Sequence, residues 1–353
     1  MTIKELAYTA KLQLESATHQ PFRNAHIHEL LAACFGFKSN TSMHTNHVLA
    51  VLNTECVIPV EHLLNLKNRL TELGYTHNVE TVGSVLLQLM RERRVGVLSV
   101  QEAFASLDLY FGKDQIDWDE SQDDEAASAQ SRFGIDRDRL GLLTDGLRLI
   151  AKRGNAMAHY ALAQIYGGDG LGYREGSQYW HSKLAQGDEL TGVQLEWAKA
   201  YSDNILNAER EAFHLQEAVR LGYPAAQLEM AHLVLEKAHE KGDFESIKRG
   251  YTEAARLGDV AAMRALIDEY DEANLFQNWV WVFFSELLGN DLRKSSLRAY
   301  HDGGMYADQD YDDDQGGPLY IGGNEGVELA EIDAELERNA REVAGQLFGK
   351  LTA

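Results

Sequence analysis

The chain has 353 residues, and its 33 Lys and Arg face 55 Asp and Glu for a formal net charge of −22. That length suits two domains or one extended repeat array, and a hydrophobic content of 44% argues against wholesale disorder. So acidic a chain lacks the net positive charge that displaces counterions from phosphates and is repelled by anionic bilayers, so neither nucleic acid nor membrane is expected as a partner.

Met1 to Ser16 carries Lys4, Glu5, Lys11 and Glu15 among its apolar residues, so no signal peptide is expected. The densest apolar run, Val280 to Phe284, is far too short to span a bilayer. The two cysteines, Cys34 and Cys56, are too few for a secreted disulfide framework, and the expectation is a cytoplasmic protein with reduced thiols.

Helical spacing dominates residues 1–111, which read as a small helical domain of about five helices. Ile3, Leu6, Ala7, Ala10 and Leu14 form one stripe; Ile27, Leu30, Leu31 and Cys34 form another, ended by Gly36. Leu63, Leu66, Leu70 and Leu73 follow Pro59 and stop at Gly74, and Val82, Val85, Leu86 and Leu89 come next. Ser99 and Glu102 form a capping box that opens a helix through Leu109. Seven histidines precede residue 78: His19, His26, His28, His44, His47, His62 and His77. They invite a zinc reading, but His26 and His28 point to different helical faces and neither CxxC nor HExxH accompanies His44 and His47. Surface and core histidines are the simpler reading, and Cys34 sits on an apolar stripe as a core residue, not a nucleophile.

Charge is concentrated in two places. Residues 111–125 hold one basic and seven acidic side chains, and residues 300–353 hold three and thirteen. The first concentration, followed by Ala and Ser, marks an acidic linker over residues 112–134.

The chain then repeats itself over residues 135–299. Gly154, Gly187, Gly222, Gly258 and Gly289 recur at spacings of 33, 35, 36 and 31 residues. Ile150 to Gly154, Ala218 to Gly222 and Ala254 to Gly258 agree before the glycine. Ala158, Leu162 and Tyr166 recur after it as Val193, Trp197 and Tyr201, as Ala226, Met230 and Val234, and as Ala262, Leu266 and Tyr270. A period near 35 residues with two amphipathic helices per unit predicts an all-α, α/α-solenoid array of about four units.

These residues, with Ala226-Gln-Leu-Glu-Met230, Tyr251 through Gly258, Trp180 and Lys183, resemble the Sel-one-like repeat family, short relatives of the tetratricopeptide repeat. The resemblance covers roughly residues 140–290. It departs from the family in the Gly-rich loop, shifted to Gly168–Gly170 in the first unit and missing in the next three. It implies a platform for protein interaction, with the first helix of each unit on the concave face. The residue after each small one is then His159, Gln194, Gln227 and Met263, and a second register gives Gln164, Lys199, His232 and Asp268. Stacked across units, these positions form polar ladders that either contact a protein or peptide partner or brace neighbouring units.

Trp279 to Phe284 is apolar on every side and must be buried all round, under a C-terminal cap or against a partner. Residues 300–353 hold an acidic loop, a short β-hairpin and a capping helix. Asp308, Asp310 and Asp312 imitate the start of a calcium loop, but Asp313 stands where Gly belongs and Leu319 where Glu belongs, so with Asp314 they read as solvated acid. Pro318 to Ile321 and Val327 to Leu329 predict the hairpin, and Ile332 to Phe348 the final helix, with Leu336, Val343 and Leu347 inward.

No nucleophile elbow, Walker loop, dinucleotide fingerprint or zincin motif occurs, and Gly167 to Gly172 reads as a tight turn rather than a phosphate cradle. The sequence therefore predicts a non-catalytic adaptor without cofactor or metal, whose partner is a protein or peptide, basic if the acidic loop takes part. An immunity-type inhibitor of a basic toxin is the sharper version of that reading. A metal-dependent enzyme or sensor is the competing class, and a homo-oligomer assembled through Trp279–Phe284 a third.

Overall fold

Apolar residues at helical spacing decide most of the elements. The computed structural model describes residues 1–53, 58–111, 139–167, 176–301, 306, 309–315 and 317–352. Among these the protein is mostly helical, with two small antiparallel sheets, and no helix is long and apolar enough to cross a membrane. The chain divides into two compact units, one built up to Leu221 and the other from Gly222 onward.

In the first unit α1 (Ile3–Thr18) buries Ile3, Leu6, Ala7, Ala10 and Leu14. Thr2 and Glu5 close a capping box at its start. Helix α2 (Asn24–Cys34) buries Ile27, Leu30, Leu31 and Cys34, and a four-residue turn, α3 (Asn40–Met43), follows. Helices α4 (Val60–Glu72) and α5 (Val79–Glu92) bury Leu66, Leu70, Val82, Leu86 and Leu89. Cys56 and the acidic stretch 112–134 lie outside the described residues.

Two strands correct the purely helical reading of this region. His47–Val51 (β1) pairs antiparallel with Val95–Ser99 (β2), with Leu49 opposite Val97. Val48 to Val51 are all buried, so the run shows none of the alternation that betrays a half-exposed strand. Ser99 then opens α6 (Val100–Phe111): its hydroxyl accepts the Glu102 N–H at 3.1 Å, and its own N–H donates to the Glu102 carboxylate at 2.7 Å. The Ser99 N–H, and after it the Ser99 hydroxyl, hold the Glu102 carboxyl below its usual range.

The segments on either side of residues 112–138 share one core. Helix α7 (Gly141–Ala151) and α8 (Ala156–Gly167) bury Leu143, Leu147, Ile150, Ala158 and Leu162 against Val48, Leu98 and Ala103. Gly146 permits this approach, since a Cβ there meets Val48 Cγ1 at 2.9 Å. The N–H of Ile3 donates to Asp145 at 3.1 Å. Helix α9 (Ser177–Ala185) leads to α10 (Gly192–Arg220), which packs on α8 and α9. At 29 residues α10 is one continuous helix where the repeat predicts two. No Gly or Pro interrupts residues 193–220, and the Ser202 hydroxyl bonds back to the Ala198 carbonyl at 3.0 Å inside it.

The repeat glycines do end helices. Gly154, Gly187, Gly222, Gly258 and Gly289 take φ of 84°, 91°, 81°, 94° and 89°, a region costly for any residue with a Cβ. After Gly258 the Asp259 N–H returns to the Ala254 carbonyl at 3.1 Å, and the Asp259 side chain caps the next helix at the Ala262 N–H, also 3.1 Å.

The second unit begins with α11 (Pro224–Lys241), α12 (Phe244–Arg256) and α13 (Val260–Ala265), which runs into a π-turn over Leu266–Tyr270. Helix α14 (Leu275–Leu287) carries the all-apolar segment, and Val280, Trp281, Val282, Phe283 and Phe284 are buried. Its cover is α15 (Ala334–Thr352), which lays Ala340 and Ala344 into the same core. The Trp279 indole N–H donates to the Ala330 carbonyl at 3.0 Å, and the Arg341 guanidinium lies 3.9 Å from the Phe283 ring centroid. Leu336, expected inward, is instead 40% exposed. The inward face of α15 is set by the small Ala340 and Ala344, which admit close packing against the bulky aromatics of α14.

The predicted hairpin is also re-paired. Leu319–Gly322 (β4) lies antiparallel to Arg298–His301 (β3), whereas Val327 is no strand residue and buries its side chain in the α14 core. The polar sequence Arg298-Ala-Tyr-His301 gives no strand pattern of its own.

Two outcomes follow from this packing. Trp281→Ala should destabilise the protein by about 3–5 kcal/mol in urea unfolding, while Leu336→Ala stays under about 1 kcal/mol. A Trp279→Asp, Trp281→Asp double variant should unfold rather than remain folded with an altered mass by light scattering; the opposite result makes this segment a partner surface.

Candidate interaction site

The two predicted ladders meet different fates. In the first register His159 and Met263 are buried, Gln194 is exposed on the first turn of α10, and Gln227 is half-buried near the start of α11. Met263 sits in a core because α13 buries both Ala262 and its neighbour. Two of the four positions in this register are therefore closed to solvent. In the second register Lys199, His232 and Asp268 are exposed and Gln164 is half-buried. His232 Nε2 lies 2.6 Å from Asp259 Oδ2, and Asp268 pairs with Arg264 at 3.4 Å.

The first unit gathers a polar cluster around the buried member of the first ladder. His159, on α8, has its Nε2 3.1 Å from the Ala151 carbonyl, which can only accept, so that nitrogen carries the proton. Its Nδ1 is then an acceptor, 2.9 Å from Nδ1 of His214 on α10, which must donate. Both rings are held neutral. Burial pushes His159 down, and burial together with His159 and Arg148 brings His214 down to about 4. Tyr166, two turns beyond His159 on α8, stacks on His214 with an interplanar angle of 15°. Its hydroxyl accepts from Arg148 Nε at 2.9 Å and Nη2 at 2.5 Å, and the Arg210 guanidinium lies 5.5 Å from its ring centroid. Arg148 also approaches Asp145 at 3.5 Å.

The cluster thus ties three helices, α7, α8 and α10, through one histidine pair and one tyrosine. It lacks a nucleophile, and a histidine near pKa 4 is a weak base at neutral pH. Its chemistry is that of a latch, and the exposed Phe213 beside it extends the surface. Sequence reasoning found His159 and Tyr166 but missed His214, Arg148 and Arg210. The spacing of Arg210 and His214, four apart on one helical face, was the available signal.

Elsewhere, Tyr251 and Tyr270 pack at 4.9 Å between ring centroids in the second unit, with Lys248 bonded to Asp271 at 2.7 Å. Among the described residues no three His, Cys, Asp or Glu side chains converge to hold a metal ion. Burial lowers His28 and His44, and His26 Nδ1 bonds the Tyr75 hydroxyl at 3.0 Å. In the acidic loop Asp308 lies outside the described residues, as does the glycine turn beyond Gly167. Asp310 pairs with Arg298 at 2.5 Å, and Asp312, Asp313 and Asp314 are exposed.

No protein-family model, curated protein or solved structure matches the chain.

The histidine pair makes stability depend on pH. Because the unfolded chain takes up a proton near pH 6.5 and folded His214 only near 4, stability is complete above about 6.5 and is lost as pH falls toward 4. Partial exposure discounts the effect to the order of 1 kcal/mol for this residue. His28, His44 and His159 act in the same direction, so the His214→Gln variant isolates the contribution: its melting temperature should fall less between pH 7 and 4.5 than that of the parent chain. An equal fall in both proteins would remove His214 from the account.

Proposed function

We propose that this chain is a non-catalytic protein–protein interaction scaffold, built as an α/α solenoid of Sel-one-like repeats, that binds a protein or peptide. The observation that carries the reading is the glycine punctuation. Five glycines spaced 31 to 36 residues apart each follow a helix with φ between 81° and 94°. Regular helix termination at that period is what a stack of two-helix repeats requires. The continuous α10 is a departure, in which the two helices of one unit have fused. Exposed Gln194, Lys199, His232 and Asp268 supply polar contact positions, and the first register contributes only Gln194 and Gln227 to them.

A second reading is favoured by one feature. From Tyr300 to Glu325 there are seven acidic residues and no Lys or Arg. An inhibitor of immunity type uses such a surface to cover a basic enzyme or toxin.

Capture with tagged protein from the native host at low salt and at about 0.5 M, where exposed charges are screened, separates the two readings. The scaffold reading expects a partner retained at high salt, whose affinity for purified Gln194→Ala, Lys199→Glu protein falls at least about tenfold. A partner lost at high salt, and weakened instead by Asp312→Asn, Asp313→Asn, Asp314→Asn, supports the inhibitor. Capture of nothing in either buffer overturns both.

A further inference from the structure

Among the described residues, strand β4 ends its sheet on an open edge. On the far side of β3, the His301 N–H donates to the Gln309 carbonyl at 3.0 Å and the Tyr311 N–H donates to the Ala299 carbonyl at 3.0 Å. Ala299 and His301 therefore turn their peptide groups toward residues 309–311, and Arg298 and Tyr300 turn theirs toward β4. In that register Tyr320 and Gly322 answer Tyr300 and Arg298. The N–H and C=O of Leu319 and Ile321 consequently point outward, and neither residue has a backbone partner on that side among the described residues. The spatial order is residues 309–311, then β3, then β4, with nothing described beyond it.

The side chains along this edge are apolar and exposed: Leu319 49%, Tyr320 51% and Ile321 61%. Leu319 and Ile321 share one face, opposite His301 and Ala299, while Tyr320 lies on the other against Tyr300 at 5.2 Å between centroids. An apolar strand edge of this kind pairs with whatever extended chain it meets. The surroundings select among those chains. The turn entering β4 carries exposed Asp312, Asp313 and Asp314, exposed Glu325 follows it, and residues 300–325 contain no cation. A second copy would bring the same acids against these, so self-pairing is opposed.

We propose that β4 is a docking edge that takes an extended, basic segment of a partner protein as an added strand. Its backbone pairs with the outward peptide groups of Leu319 and Ile321, alternate apolar side chains cover those two residues, and Lys or Arg at its ends meet the Asp312–Asp314 turn and Glu325. The inference rests on the reading of the chain as a binding protein, but not on its repeat faces.

The probe is a fluorescent peptide, acetyl-Lys-Lys-Val-Thr-Val-Thr-Val-Lys-Lys-amide, titrated by anisotropy with the full chain at about 0.05 M and 0.3 M salt. The expected result is saturable binding that weakens with salt, and no binding of the same peptide with Glu for each Lys. Ile321→Pro removes an outward N–H and should cost at least tenfold. Leu319→Lys, Ile321→Lys should cost as much by repulsion, and Asp312→Asn, Asp313→Asn, Asp314→Asn should flatten the salt dependence. All these positions are exposed, so melting temperature and circular dichroism should match the parent chain, and the Lys and Asn variants cover the case in which Pro perturbs the sheet.

Three results overturn the proposal: no binding of the Lys peptide, equal binding of both peptides, or unchanged binding by the β4 variants. A dimer of the parent chain that Ile321→Pro dissociates also overturns it, by making a second copy the occupant. If the peptide is lost from Gln194→Ala, Lys199→Glu but not from the β4 variants, the edge fails while the scaffold reading stands. If the β4 variants alone lose it, the edge stands whatever becomes of the repeats.

Discussion

A pair of residues, glycine followed by Asn or Asp, sets the rhythm of much of this chain. Gly154-Asn155, Gly242-Asp243 and Gly258-Asp259 each close one helix and open the next. The glycine takes a left-handed conformation, and after Gly242 and Gly258 the following N–H reaches back to a carbonyl of the finished helix. The Asn or Asp then accepts an N–H three residues on, at 2.9, 3.3 and 3.1 Å respectively, and so satisfies a donor of the new one. Two residues thus serve two helix ends, and with so short a connection the consecutive helices α7 and α8, α11 and α12, and α12 and α13 are held side by side. At Gly258 the left-handed conformation is reinforced by crowding, since a Cβ there meets Leu351 Cδ2 at 2.9 Å.

Where this punctuation is missing, the architecture changes. Ser202-Asp-Asn204 offers turn residues but no glycine, and α10 runs through them for 29 residues, about 43 Å at the ordinary rise. The long helix places Gln194 and Lys199 near one end, and Arg210 and His214 toward the other, where the histidine pair fastens it to α8. The latch and the exposed polar positions are therefore parts of one rigid element. Buried His159 is tolerated neutral because both its ring nitrogens have partners, the Ala151 carbonyl and half-buried His214, and the carbonyl fixes which nitrogen holds the proton.

The legible parts of the fold are those written in local pattern. The stripes of α1, α2 and α5, the Ser99–Glu102 box, the glycine stops and the burial of Val280 to Phe284 all follow from spacing along the chain. What was not legible depends on partners far away. Val48 to Val51 form a buried strand without alternation, and Arg298 to His301 a polar one, so each is defined by the strand it meets and not by its own residues. Leu336 lies on the stripe of Ala340 and Ala344 but in the first turn of α15, and it is 40% exposed where they are buried, so the stripe alone does not tell where the core ends. His159 and Met263 are buried while Gln194 is exposed, because a repeat period gives equivalent positions along the chain and burial depends on what packs around each. His214 escaped notice since its role is fixed by a contact 55 residues away.

The distribution of charge follows the same division between local and distant effects. Acids in an exposed turn are solvated, and beyond a Debye length of about 8 Å they hardly repel the rest of the protein, so Asp312 to Asp314 cost little in folding. Their field is felt by approaching molecules, which it sorts by sign and steers. Beside an open apolar strand that sorting is needed twice. An unguarded edge pairs with its own kind and aggregates, and natural sheets protect such edges with charge. Here the guarding charge has one sign, with Arg298 already engaged by Asp310, so it excludes another copy of the chain and admits a cationic strand. The residues that keep this edge from pairing with itself are therefore the ones that choose its partner.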